Sequence, residues 1–162
     1  MSSCSSSKFG SDWQRSLCLL PDAGNGEECT MVFIKPENIV ESIARKTDTT
    51  EIIHSIFKCK ISAGFKPPHV FVYFCTRNYW WSLEKDSKGI TLQRGTEEQH
   101  VKDVYKRGQR KGNILSNSRG VGRKTIGDLI QWIQDRDELN KKYSIFGSNC
   151  IGFVKNVLDF LI

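Results

Sequence analysis

Pro67-Pro68-His69-Val70-Phe71-Val72-Tyr73-Phe74-Cys75-Thr76-Arg77-Asn78-Tyr79-Trp80-Trp81-Ser82-Leu83-Glu84-Lys85 is the stretch on which the fold turns. The double proline excludes a helix and forces extended backbone into His69. Val70 to Cys75 is aromatic and β-branched and reads as a strand. Thr76-Arg77-Asn78 supplies the turn, and Tyr79 to Lys85 the return strand. A second turn, Asp86-Ser87-Lys88-Gly89, leads to a third strand at Ile90-Thr91-Leu92-Gln93, so the centre of the chain predicts an antiparallel meander. Alternation places Trp80, Ser82 and Glu84 on one face of the return strand, with Tyr79, Trp81 and Leu83 on the other.

Upstream of this centre, Thr30 to Ile34 reads as a short strand or buried lead-in. Pro36 suits a first helical position, with Ile39, Val40, Ile43 and Ala44 following at helical spacing. Asp48 and Glu51 make a capping box, which predicts a second helix carrying Ile52, Ile53, Ile56 and Phe57 on one face. Residues 1–28 read as a flexible tail: serines dominate its start, Pro21 to Gly26 is linker chemistry, and the apolar patch Leu17 to Leu20 falls inside it.

Downstream, Thr96 and Gln99 predict a short helix running to about Lys106, after which a basic, glycine-rich loop follows. Thr125 with Asp128 caps a helix lined by Ile126, Leu129, Ile130 and Ile133. Ser148 is the expected cap of a last helix in which Cys150, Phe153, Val154, Val157, Leu158 and Leu161 share a face. The whole reads as one α+β domain over residues 29–162, an antiparallel meander with helices packed on it.

Composition narrows the function classes. The 162 residues are 38% hydrophobic and 26% charged, ordinary for a globular domain. No apolar run approaches the ~20 residues of a membrane helix. The serine-rich start lacks the basic and apolar segments of a signal peptide, which points to the cytoplasm. Six cysteines at irregular spacings, with no C-x-x-C pair, read as reduced thiols rather than a disulfide framework, and no metal site or cofactor motif is expected. The net charge of +6 is concentrated in Lys106, Arg107, Arg110, Lys111, Arg119, Arg123 and Lys124, with no acidic residue among them. Such a segment is either a solvated loop or a contact for an anionic partner, nucleic acid or an acidic lipid surface.

Two residues carry the candidate chemistry. Cys150 opens the last helix, where unpaired N–H groups and the helix dipole favour thiolate over thiol. The same position also suits an inert buried cysteine. Gly147 and Gly152 leave room beside the sulfur, and the Cys150 N–H is a candidate oxyanion donor. His69, held rigidly behind the prolines, is the candidate general base. Ser82 or Glu84 would orient its ring, with Gln93 on the next strand and Asn149 beside the cysteine as polar pocket neighbours.

His69 opening an apolar strand, the hairpin after it, and the late Ser148-Asn149-Cys150 followed by Phe153-Val154 resemble the circularly permuted papain-like superfamily. That superfamily includes NlpC-like peptidases, the lecithin:retinol acyltransferase group and PPPDE-type isopeptidases. The resemblance covers about residues 67–94 and 143–162. It implies a His strand preceding a Cys helix, and a cysteine hydrolase or acyl transferase acting on an amide, isopeptide or ester carbonyl of a peptide or lipid substrate. The chain departs from the pattern at Ile151-Gly152, and at Ser82, near where the acyltransferase group carries a second His. A papain-like binding module without catalysis, or nucleic-acid binding through residues 106–124, is the alternative. Oligomeric state is left open.

Overall fold

The computed structural model describes residues 12–62, 68–144 and 149–162. Among these residues nine strands and four α-helices follow in chain order: β1 (Leu17–Leu20), β2 (Val32–Ile34), α1 (Ile39–Lys46), β3 (Ser55–Ser62), β4 (His69–Cys75), β5 (Trp80–Asp86), β6 (Gly89–Gly95), α2 (Gln99–Lys102), β7 (Val104–Tyr105), β8 (Gly108–Gln109), β9 (Asn113–Val121), α3 (Ile126–Asp135) and α4 (Cys150–Leu161). Seven strands form one sheet in the order β2-β1-β6-β5-β4-β3-β9, and β7 and β8 form a separate hairpin. All pairings are antiparallel except β1 with β6. The architecture is α+β around a mostly antiparallel sheet.

The predicted meander is β4-β5-β6, with Tyr73 opposite Ser82 and Ser82 opposite Gln93. Period-two alternation then divides the side chains between two layers. Val70, Val72, Phe74, Trp81 and Leu83 join α1, α3 and α4 in the larger core, which also holds Cys150, Phe153, Val154 and Val157. Phe71 and Tyr73 face the other way, into a smaller cluster with Cys59, Ile61 and Val101 of α2. Each fully buried side chain of this kind contributes about 1.5–3 kcal/mol of transfer free energy, which makes the helix-side layer the main source of stability.

Four expectations fail, each for an identifiable reason. The stretch expected as a capped helix from Asp48 becomes an Asx turn and then β3. Asp48 Oδ1 accepts from Thr50 N at 2.9 Å, Glu51 reaches Asn78 instead of its own backbone, and the β-branched run pairs with β4 on one side and β9 on the other. The expected tail contains β1, whose Leu17, Cys18, Leu19 and Leu20 are all buried between β2 and β6. Four consecutive apolar residues are what a strand covered on both faces requires. The helix expected to reach Lys106 is only α2, because Val104 and Tyr105 turn into the small hairpin. The basic loop is largely β9, an edge strand nine residues long. The Thr125–Asp128 capping box is present on α3. On α4 the cap is Asn149, whose Oδ1 accepts from Gly152 N at 2.9 Å. The expected cap Ser148, with Gly147, lies outside the described residues.

Among the described residues no helix is long and apolar enough to cross a membrane.

Candidate functional site

The hairpin side of the sheet concentrates its polar residues where β4 begins and β5 ends. His69 Nε2 and Glu84 Oε2 are 2.7 Å apart, both groups buried. Arg110, just past β8, closes on the same carboxylate in a fork: Nη1 donates to Oε2 at 3.1 Å and Nη2 to Oε1 at 2.6 Å. The guanidinium stacks on Phe71, 3.7 Å from the ring centroid, and lies 5.0 Å from that of Tyr105. This planar, two-pronged grip is arginine chemistry that a lysine would not reproduce. Burial alone would raise the Glu84 carboxyl; the Arg110 charge and then the His69 hydrogen bond outweigh it and hold the group down at about 2.

A second polar group lies beside it. Gln93 Nε2 donates to Ser82 Oγ at 3.0 Å and to the Val104 carbonyl at 2.9 Å, while its Oε1 accepts from Lys106 N at 2.9 Å. Gln93 therefore pins the β7–β8 hairpin to the sheet. The Tyr105 hydroxyl bonds to Asp86 and reaches Thr91 at 3.2 Å. At the hairpin tip, Lys106 (φ 48°) and Arg107 (φ 74°) both occupy the left-handed region. Non-glycine residues pay for that conformation in strain. Gln93 and the Arg107 Nε bond to the Cys29 carbonyl (2.8 Å) hold the turn in place.

Under the hairpin opens a cavity of about 370 Å³, within the size range of small-ligand pockets. Its floor is His69, Glu84 and Arg110, and Lys88, Lys106 and Lys111 stand at its rim. Glu84 is the one acidic residue of the lining among the described residues, and Arg110 and His69 already engage it. The three lysines are in no ion pair among the described residues.

Of the residues singled out in the sequence, the structure brings together His69, Glu84 and Arg110, with Lys106 and Lys111 around the same cavity. Ser82 and Gln93 bond to each other. Cys150 lies elsewhere. Its helix packs on the face of β4 that carries Val70 and Val72, and the cysteine is buried in the helix-side core. His69 shares the other face with Phe71 and Tyr73. Cys150 is also disulfide-bonded, whereas Cys18, Cys29, Cys59 and Cys75 are free. The expectation of reduced thiols holds for those four and fails for Cys150. Burial pushes the Cys59 thiol up to about 11, so that thiol is an inert core residue.

The basic segment is dispersed. Arg107 is tied to the Cys29 carbonyl, Lys124 lies 4.8 Å over the Phe160 ring, and Arg119 and Arg123 are exposed along and beyond β9. No family model, curated protein or solved structure matches the chain. Among the described residues no group of His, Cys, Asp and Glu is placed to hold a metal ion.

Sequence reasoning missed Lys88 and Tyr105 as cavity residues and Arg110 as the partner of Glu84. Only the uninterrupted basic composition around Arg110 hinted at a buried acid in need of a counter-charge.

Proposed function

We propose that this protein is a binding module that takes a small anionic group into the cavity between the β4–β5 strands and the β7–β8 hairpin. The observation that carries this reading is the charge balance of the lining. One carboxylate is fully engaged by a buried arginine and a histidine, and three lysines around the same opening are in no ion pair among the described residues. A low-dielectric recess with uncompensated positive charge attracts anions more strongly than the same lysines would on an open surface. Titration with inorganic phosphate and with tripolyphosphate, followed by calorimetry and by the ring resonances of His69, tests it. Saturable one-to-one binding is expected, weakening with salt and at least tenfold weaker in the Lys106→Glu/Lys111→Glu double variant. Equal binding by the variant, or no saturation, overturns the reading.

A second reading is favoured by the His69–Glu84 hydrogen bond, the arrangement that orients a general base. In it the protein is a cysteine hydrolase or acyl transferase of permuted papain-like type. After reduction of its disulfide by an external thiol, the Cys150 sulfur would attack an amide, isopeptide or ester carbonyl while its proton passes to His69. The C–N or C–O bond breaks, the amine or alcohol leaves with that proton, and water or an acceptor then takes the acyl group from the sulfur. This reading requires Cys150 and His69 to meet from opposite faces of β4. Iodoacetamide labelling of the reduced protein decides it: Cys150 should react faster than Cys75, and His69→Ala should slow it. Labelling of Cys150 no faster than that of the other cysteines removes the reading.

A further inference from the structure

The two edges of the sheet are unlike. One ends in β2, three residues long, and the other in β9, nine residues long. Proteins usually shield a long edge with proline, lysine or a cover. The run Asn113-Ile114-Leu115-Ser116-Asn117-Ser118 contains none of the first two, and no described strand pairs with its outer side. Among the described residues its shielding comes late, as a bulge. The register slips between Ile56 and Phe57, so that Arg119 is the extra residue of a bulge, and Gly120 has φ 127°. The six residues before the bulge keep a regular ladder to β3, and no described backbone group pairs with their outward side.

The surroundings give this edge a charge. Leu115 lies opposite Lys60, and Asn117 opposite Lys58, on the face that α4 covers over β4 and β5. Leu115 is 58% exposed, and Lys60 is exposed beside it. Beyond them Arg119 lines an open groove of about 400 Å³ with Leu158 and Asp159 of α4. Asp159 is paired with Lys155 at 3.4 Å. Lys58, Lys60 and Arg119 are in no ion pair among the described residues.

We infer that β9 is a docking edge for an extended acidic segment of a partner protein, which adds to the sheet as an eighth strand over Asn113–Ser118. Main-chain hydrogen bonds supply the affinity, and alternate carboxylates facing Lys58, Lys60 and Arg119 supply the selectivity. A second copy of this chain is a poor occupant, because edge-to-edge pairing would bring two sets of these cations together.

The test uses the full chain and a fluorescein-labelled eight-residue peptide of alternating Val and Glu, with its Val/Lys counterpart as control. The acidic peptide should bind at least tenfold more tightly than the basic one and protect amides 113–118 from hydrogen exchange. N-methylation of alternate peptide amides, on the edge that faces β9, should abolish binding. Lys60→Glu/Arg119→Glu should reverse the preference, whereas Lys106→Glu/Lys111→Glu should leave it intact, which separates this edge from the cavity. Equal binding of both peptides, or exchange protection confined to residues outside β9, overturns the inference. So does sedimentation showing a dimer that already protects β9 without peptide.

Discussion

On the helix side of β5 the side chains are Trp81, Leu83 and Lys85; on the hairpin side they are Ser82, Glu84 and Asp86, and all six are fully buried. One strand thus presents a mostly dry layer to three helices and an ionisable layer to a six-residue hairpin, residues 104–109. The difference shows where specificity is built. The helix side gains its free energy from apolar area and is indifferent to which ligand is present. The hairpin side buries charge, which is tolerated only with satisfied partners, and it borders the cavity.

The contrast breaks first at the largest effects. Glu84→Gln leaves the Arg110 guanidinium buried without its counter-charge and is expected to cost about 3–5 kcal/mol near neutral pH. Phe153→Ala, on the other side, is expected to cost a similar ~3–5 kcal/mol through the cavity it leaves. Urea titration at several pH values separates them. The Glu84 carboxyl is held at about 2 in the folded protein, below its unfolded value of about 4.5. Its contribution is therefore complete above pH ~4.5 and is lost as pH falls towards 2. The cost of Glu84→Gln should shrink over that window while that of Phe153→Ala stays constant. Parallel behaviour of the two variants would show that Glu84 contributes by packing alone.

Lys85 is the exception on the helix side, and it sharpens the comparison. Its Nζ donates to the Lys141 carbonyl at 2.7 Å and lies 5.0 Å over the Trp13 ring. Burial lowers it to about 8, against the opposing pull of Glu138. Between pH ~8 and its unfolded value near 10.5, the unfolded chain holds a proton that the folded protein has released. Stability from this group therefore rises with pH across that interval, by on the order of 3 kcal/mol. Denaturation of wild type against Lys85→Met at pH 7.5 and 10.5 should show this gain in wild type only. An unchanged difference between the two proteins would mean that Lys85 is solvated in the folded state.

The local signals legible in the sequence were those that one segment settles by itself. The meander follows from β-branched and aromatic runs between turns, and the Thr125–Asp128 box from a capping pattern that needs no partner. β1 and β9 were not legible, because each is a strand only through its neighbours. Leu17–Leu20 gains its ladder from residues 32–34 and 90–93, and Asn113–Val121, with little apolar content, gains its ladder from β3. The site divides in the same way. Alternation put Glu84 on a face that could meet His69. Nothing in the sequence showed that Arg110 would turn inward, nor that the cysteine helix would pack on the opposite face. Asn149 was legible as a polar neighbour of Cys150, yet its role is the cap of α4. Asn149→Ala should therefore cost about 1 kcal/mol, measurable by urea denaturation; no loss would mean that the α4 N-terminus is held by other bonds.

The smallest expected effect on stability divides the hairpin side within itself. Lys106 and Lys111 border the same cavity as Arg110, but Lys111 is exposed, Lys106 half-buried, and neither is in an ion pair among the described residues. Charge reversal at both should change the unfolding free energy by no more than about 0.5 kcal/mol, because no buried partner is left uncompensated. Relief of mutual repulsion around the opening would, if anything, make the change favourable. The same substitution removes the uncompensated charge that would hold an anion. Folding and binding should thus separate cleanly at these two lysines, where at Glu84 and Arg110 they are lost together. If Lys106→Glu/Lys111→Glu instead destabilises the protein by several kcal/mol, these lysines are part of the buried network, and the cavity is a structural void of the fold.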